Sequence, residues 1–240
     1  MLVNRHDIYI GRSLLELGEF SEGEVDLFRQ VLRPGAIVVE AGANIGSHTV
    51  PLARLVGPSG RIYAFEPQRI VFQLLCANVA LNSLTNVVTH WSAVGDQAGE
   101  VWIPDIDYGQ PNNFGGLGLE GRSGGEKVPL QTIDAMGLSR LDLLKADVEG
   151  MEQSVLSGAR ETIERTHPLL YVENDRTDKS AELLAMIKGF GYVAYSHTPP
   201  MYNPNNFFAQ PANPFANIIS INVFAVHSSV AANIQGLRQL

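Results

Sequence analysis

Apolar residues fall along this chain in short unbroken runs separated by stretches of helical period, the alternation that builds a layered α/β domain. Ala36-Ile37-Val38-Val39 opens a strand buried on both faces, and a helical pattern over 47–56 follows, stopped by Gly57-Pro58. A strand over 61–65, a helix over 68–81 with Asn82 as its cap, and a strand over 86–91 repeat the unit. Residues 99–127 break the alternation with a short strand at Val101-Trp102-Ile103-Pro104 and a loop holding Gly109, Gly115, Gly116, Gly118, Gly121, Gly124 and Gly125. A long aperiodic segment inside a compact domain reads as a lid or binding loop. The alternation then resumes with a strand over 141–147, a helix over 151–163, a strand over 169–172, a helix over 180–189 and strands over 192–195 and 218–227.

This pattern predicts an α/β, doubly wound, mostly parallel seven-stranded sheet of Rossmann-like type. Its last two strands, joined by a loop rather than a helix, predict an antiparallel terminal hairpin. Upstream, Val25, Leu27, Phe28, Val31 and Leu32 recur at helical spacing, with Ser21 and Glu24 in capping-box positions. The chain therefore divides into a helical lead-in or cap over 1–35, a cofactor-binding domain over 36–228 and a tail over 229–240.

The chemistry concentrates where the first strand turns into its helix. Glu40 precedes Gly42-Ala43-Asn44-Ile45-Gly46, a turn that presents free backbone N–H groups at the carboxyl edge of a parallel sheet. A dinucleotide site needs three glycines to approach a pyrophosphate; here Asn44 replaces the middle one and Glu40 would repel the phosphates. S-adenosylmethionine (SAM), phosphate-free and cationic, suits Glu40 and Asn44 better. Glu66 lies twenty positions after Gly46, with Pro67 beside it, where an acidic strand end accepts both ribose hydroxyls of an adenosine. Ser92 and Ala93 follow the third strand and fall beside the adenine. His48, in the first turn after the glycines, faces either cofactor or acceptor. An antiparallel terminal hairpin supports the same ligand over NAD(P), the cofactor of the alternative reading as an oxidoreductase. A non-catalytic SAM-fold binding module is the other alternative.

Composition narrows the partners. Hydrophobic residues at 45% and charged residues at 18% are globular values. A net charge of −8 without any basic run argues against nucleic acid and for a small-molecule or glycan acceptor. No apolar run reaches the about 20 residues of a membrane span, and the N-terminus lacks a leader pattern. With Cys76 as the only cysteine no internal disulfide forms. A cytoplasmic protein without membrane contact is expected, and a homodimer stays open.

Three motifs point to a family. Val39-Glu40-Ala41-Gly42-Ala43-Asn44-Ile45-Gly46, Tyr63-Ala64-Phe65-Glu66-Pro67 and Leu144-Lys145-Ala146-Asp147-Val148-Glu149-Gly150-Met151-Glu152 together resemble the FkbM family of SAM-dependent methyltransferases. The Lys-x-Asp-x-Glu-Gly-x-Glu element is the most specific, and Glu40 departs from the more common aspartate. The resemblance, over about residues 22–227, implies a class I methyltransferase fold and O-methylation of a hydroxyl on a sugar, glycan or secondary metabolite.

Methyl transfer to an alcohol needs alignment and removal of the hydroxyl proton. Asp147, ending the strand expected beside the first, and Glu149 are the candidate general bases, with helix capping as their ordinary role. Asp147, Glu173 and Asn174 end neighbouring strands and offer three oxygen ligands to a divalent ion such as magnesium, a layout similar to that of catechol O-methyltransferases. Tyr108, Asn112, Asn113, Tyr202, Asn205, Asn206 and Phe207 are the candidate acceptor contacts.

Overall fold

The structure is a computed structural model that describes residues 1–119, 121, 123–230 and 236–240. Two helices, α1 (Ile10–Glu16) and α2 (Glu22–Val31), precede β1 (Ile37–Ala41). α3 (Thr49–Val56), β2 (Arg61–Phe65), α4 (Arg69–Leu81) and β3 (Val87–His90) continue the alternation. β4 (Ala93–Val94), β5 (Gly99–Ile103) and β6 (Glu126–Gln131) form a separate three-stranded sheet. Then come β7 (Leu143–Ala146), α5 (Glu152–Ser157), α6 (Arg160–Thr166), β8 (Leu169–Glu173), α7 (Ser180–Gly189), β9 (Tyr192–His197), β10 (Asn222–His227) and β11 (Arg238–Gln239).

The main sheet runs β11-β9-β10-β8-β7-β1-β2-β3. β8, β7, β1, β2 and β3 run parallel to one another, and β10 lies antiparallel between β8 and β9. The expected hairpin is therefore present, and the strand it inserts is the last long one. An eighth, edge strand comes from the segment expected as a tail: Arg238 and Gln239 pair with Ser196 and Tyr195 of β9. The middle of that segment, 231–235, lies outside the described residues. Among the described residues no helix is long and apolar enough to cross a membrane.

Side chains alternate along each strand, so the sheet is covered on both faces. Val39, Leu144, Leu170 and Val223 join Val155, Ile163 and Ile187 of α5, α6 and α7 in one apolar layer. Val38, Leu143, Tyr171 and Ile62 join Phe28, Leu52 and Leu75 of α2, α3 and α4 in the other.

Three local details refine the sequence reading. The single helix expected over 151–163 is two: at Gly158 a Cβ would lie 1.9 Å from the Gly95 carbonyl oxygen, and α6 begins afresh where Asp134 accepts the Glu161 and Thr162 N–H groups at 3.0 and 2.8 Å. α1 lies inside the helical lead-in expected over 1–35, for which the sequence pattern bounds only α2. α2 forms as expected without a capping box: Ser21, at φ 46°, donates its hydroxyl to the Glu24 carboxylate at 2.7 Å instead.

Candidate active site

The carboxyl ends of β1, β2 and β7 meet around the glycine turn. Gly42 has φ +81°, and a Cβ there would lie 1.8 Å from the carbonyl oxygen of Asp147, so only glycine lets the two chain segments touch. Asn44 takes the left-handed conformation at φ 49°, which an asparagine tolerates. Its N–H donates to Glu66 Oε2 at 3.0 Å while Gln68 N–H donates to Oε1 at 2.8 Å. Each Glu66 oxygen is thus oriented by backbone and keeps acceptor capacity. Burial, opposed by those two N–H groups, pushes the Glu66 carboxyl up to about 7.

A narrow pocket opens beside Glu66. Pro67, Gln68, Ser92, Ala93 and Met151 line it, and Leu117 and Leu119 of the glycine-rich loop close it. Among the described residues the buried Ser92 hydroxyl has no partner, a polar atom open to a ligand. The loop is anchored there: Gln68 Nε2 donates to the Phe114 carbonyl at 2.7 Å, and the Tyr108 hydroxyl donates to Gln68 Oε1 at 3.2 Å.

Next to it lies a wider cleft of about 1390 Å³, counted with the solvent at its mouth. Gly42, Glu66, Gly115, Asp147 and Glu149 belong to the walls of both. The two share these walls, and Asp147 and Glu149 stand where they adjoin.

The floor of the wide cleft is a buried charge network. Glu40, Lys145 and Tyr171 are register partners on adjacent strands, so their side chains share one face. Thr49 Oγ1 donates to Glu40 Oε2 at 2.6 Å. Burial, opposed by Lys145 and Thr49, pushes the Glu40 carboxyl up to about 7. Lys145 is 1% exposed, with Nζ 3.0 Å from Asp147 Oδ2. Burial works against its charge, but Asp147, Glu40 and Glu24 outweigh it and hold the ammonium's pKa above the usual lysine range. His48, packed against Phe20 and Phe28, is pushed down to about 3 by burial and then by Lys145, so it is neutral.

Asp147, Glu149 and Glu173 bring carboxylate oxygens within 4.8 Å of one another. Burial, then Asp147 and Asp175, pushes Glu149 up to about 7 against the opposing Arg176, whose Nη2 is 2.8 Å from Glu149 Oε2. Burial, then Asp147 and Glu149, pushes Glu173 up to about 10, and its buried Oε2 has no partner among the described residues. Three facing carboxylates, one of them unsatisfied, fit a hard divalent cation. Asp147 and Glu173 of the expected set are joined by Glu149, while Asn174 directly follows Glu173 and is not among the residues lining the cleft.

The N-cap of α5, Met151, makes no side-chain cap bond; Glu152, the first residue of that helix, turns back so that its Oε1 accepts from the loop N–H groups of Val148 and Gly150 at 3.2 and 3.0 Å. Glu40, Gly42, Asn44, His48, Glu66, Pro67, Ser92 and Ala93 each line the pocket, the cleft or both. Gly46 does not; at φ +89° it shapes the turn, and a Cβ would press on Leu75 at 3.0 Å. Of the expected acceptor contacts only Asn113 lines the cleft. Tyr202 donates to the Gln210 and Pro211 carbonyls, Asn206 bonds within its own turn, and Phe207 projects outward at 79% exposure. Asn and Pro in that loop serve turn geometry. Residues 218–222 replace them in the wall, and Lys145, Glu24, Gln68 and Met151 join the site without having been expected.

Residues 40–194 match the family model described as Methyltransferase FkbM domain. The 31-O-demethyl-FK506 methyltransferase FkbM of Streptomyces tacrolimicus is 26% identical over 204 residues, covering 71% of this chain and 78% of that one. Among solved structures, a methyltransferase FkbM from Methylobacillus flagellatus superposes with a TM-score of 0.53 at 17% identity over 83% of this chain, which spans half the length of that protein. A putative methyltransferase from Streptococcus mutans, solved in complex with SAH, gives a TM-score of 0.50 at 14% identity, covering 85% of this chain and 96% of that one.

Proposed function

Because the chain belongs to the FkbM family of methyltransferases, we propose that it transfers a methyl group from SAM to a hydroxyl oxygen of a sugar, glycan or secondary metabolite. The observation that carries this reading is the junction: Asp147 and Glu149 belong at once to the narrow pocket and to the wide cleft. A donor in the first and an acceptor in the second would meet at those two carboxylates, in the alignment an in-line displacement needs.

When bound, SAM supplies a methyl group activated on a sulfonium. Glu66 would accept the ribose hydroxyls, Ser92 would read the adenine edge, and Glu40 would face the ammonium of the amino-acid end. Asp147, fixed by Lys145 at 3.0 Å, takes the proton of the acceptor hydroxyl as oxygen attacks. Glu149, near neutrality in its titration, is matched to sharing that proton with solvent. A divalent ion, if used, would be held by Asp147, Glu149 and Glu173 and would lower the pKa of the acceptor hydroxyl.

Isothermal titration with S-adenosylhomocysteine and a radiolabelled methyl-transfer assay over sugars and metabolite alcohols test the reading. One equivalent bound and label in an acid-stable ether support it. A protein that binds NAD(P)H and ignores S-adenosylhomocysteine would overturn it. Loss of rate on adding chelator, restored by magnesium, would distinguish metal-assisted from carboxylate-only chemistry.

A further inference from the structure

The wide cleft has two unlike ends. Its floor carries the carboxylates and Lys145, whereas the chain entering β10 lays Ile218, Ile219 and Ile221 along the outer wall together with Met201. The three isoleucines are 36%, 48% and 40% exposed, although each is a large apolar side chain. The arrangement is built: Met201 N–H donates to the Ile218 carbonyl at 3.0 Å, Ser220 N–H donates to the Pro199 carbonyl at 3.0 Å, and Pro200 bridges Ile219. Tyr9 and Phe20 of the N-terminal segment add further apolar surface to the same cleft. Grouped apolar surface left wet is unfavourable in the free protein and marks a place where something binds.

Resting on the methyltransferase reading above, we infer that the acceptor is an amphipathic alcohol, with an apolar body seated on the Met201–Ile218–Ile219–Ile221 ledge and its reacting hydroxyl reaching Asp147. The ledge is continuous with the cleft that holds the carboxylates, so the occupant is the substrate's own body. A bare polyol would leave the isoleucines wet and place its extra hydroxyls against groups that cannot pair with them. Ile219 and Ile221 are then specificity-determining residues for the reaction.

The test measures binding to protein saturated with S-adenosylhomocysteine, using octyl against methyl β-glucoside below the micelle concentration, and a decahydronaphthol against inositol. The apolar-bodied member of each pair should bind at least tenfold more tightly. In the double variant Ile219→Ser/Ile221→Ser that preference should disappear, while affinity for S-adenosylhomocysteine and the melting temperature stay unchanged. Equal binding within the pairs, no binding of the apolar members, or a preference that survives the double variant would overturn the inference. So would a dimer by sedimentation velocity that the double variant dissociates, since a second copy would then be the occupant. Failure to bind S-adenosylhomocysteine at all would instead strike the methyltransferase reading.

Discussion

The narrow pocket and the wide cleft share walls but are made of different materials. The pocket is backbone work: two N–H groups orient Glu66, and a glycine without a Cβ lets β1 and β7 touch. The cleft is side-chain work, with its character set by Lys145 among Glu24, Glu40 and Asp147 and by a ledge on a loop. Backbone geometry recognises one ligand in one pose, while side chains on a loop are free to change with the acceptor. On the proposed reading, one domain would hold a constant donor beside a variable acceptor.

Asp147→Asn should separate the two regions most sharply. Turnover should fall by about 10²- to 10⁴-fold, the usual worth of a general base, while affinity for S-adenosylhomocysteine by calorimetry stays within a few-fold. Gly42→Ala should blur the boundary instead, because its Cβ would displace the Asp147 carbonyl in a left-handed conformation. Strain and clash of about 3 kcal/mol correspond to about a hundredfold loss of S-adenosylhomocysteine affinity. Glu173→Gln in the same titration should be nearly silent, which marks the far side of the line.

Acidity probes the shared floor. Glu40 and Glu66 are both pushed up to about 7, so the folded chain holds protons that the unfolded chain releases near 4.5. Their raised values favour the folded, ligand-free protein at low pH, and that advantage is lost as pH climbs from 4.5 through 7. Its melting temperature should therefore fall over that window. Binding of S-adenosylhomocysteine should run the other way, because its ammonium prefers the ionised Glu40, with an affinity gain of about tenfold from pH 6 to 8. A smaller effect belongs to Ser92→Ala, which removes the hydrogen bond proposed to the adenine edge. A loss of about two- to tenfold in affinity is expected, with turnover at saturation unaltered.

The difference between the regions also explains what the sequence could reveal. Gly42, Asn44 and Glu66 sit within one βαβ unit, where short spacing fixes relative position, so the cofactor side is legible. Lys145 stands in the apolar run Leu143-Leu144-Lys145-Ala146, and its placement beside Glu40 depends on β7 pairing with β1 across about a hundred residues. That register is a tertiary fact. The sequence already places that strand beside the first, but only the register, with Glu40 opposite Lys145, puts the two side chains on one face. Ile218 and Ile219 were visible only as the start of an apolar run, which reads as strand, whereas β10 begins at Asn222. Gly158 looked like a tolerable helix interior until Gly95 arrived against it.

The contact at Gly42 has a bearing on how such proteins can be recombined. Two segments that lie more than a hundred positions apart meet through a missing methyl group, so neither can drift without the other. A chimera whose crossover falls between them would join halves never fitted to each other, and it should fail unless both travel from the same parent. Laboratory shuffling of these domains is best cut after Gly150, leaving the later loop free to be exchanged for new acceptors.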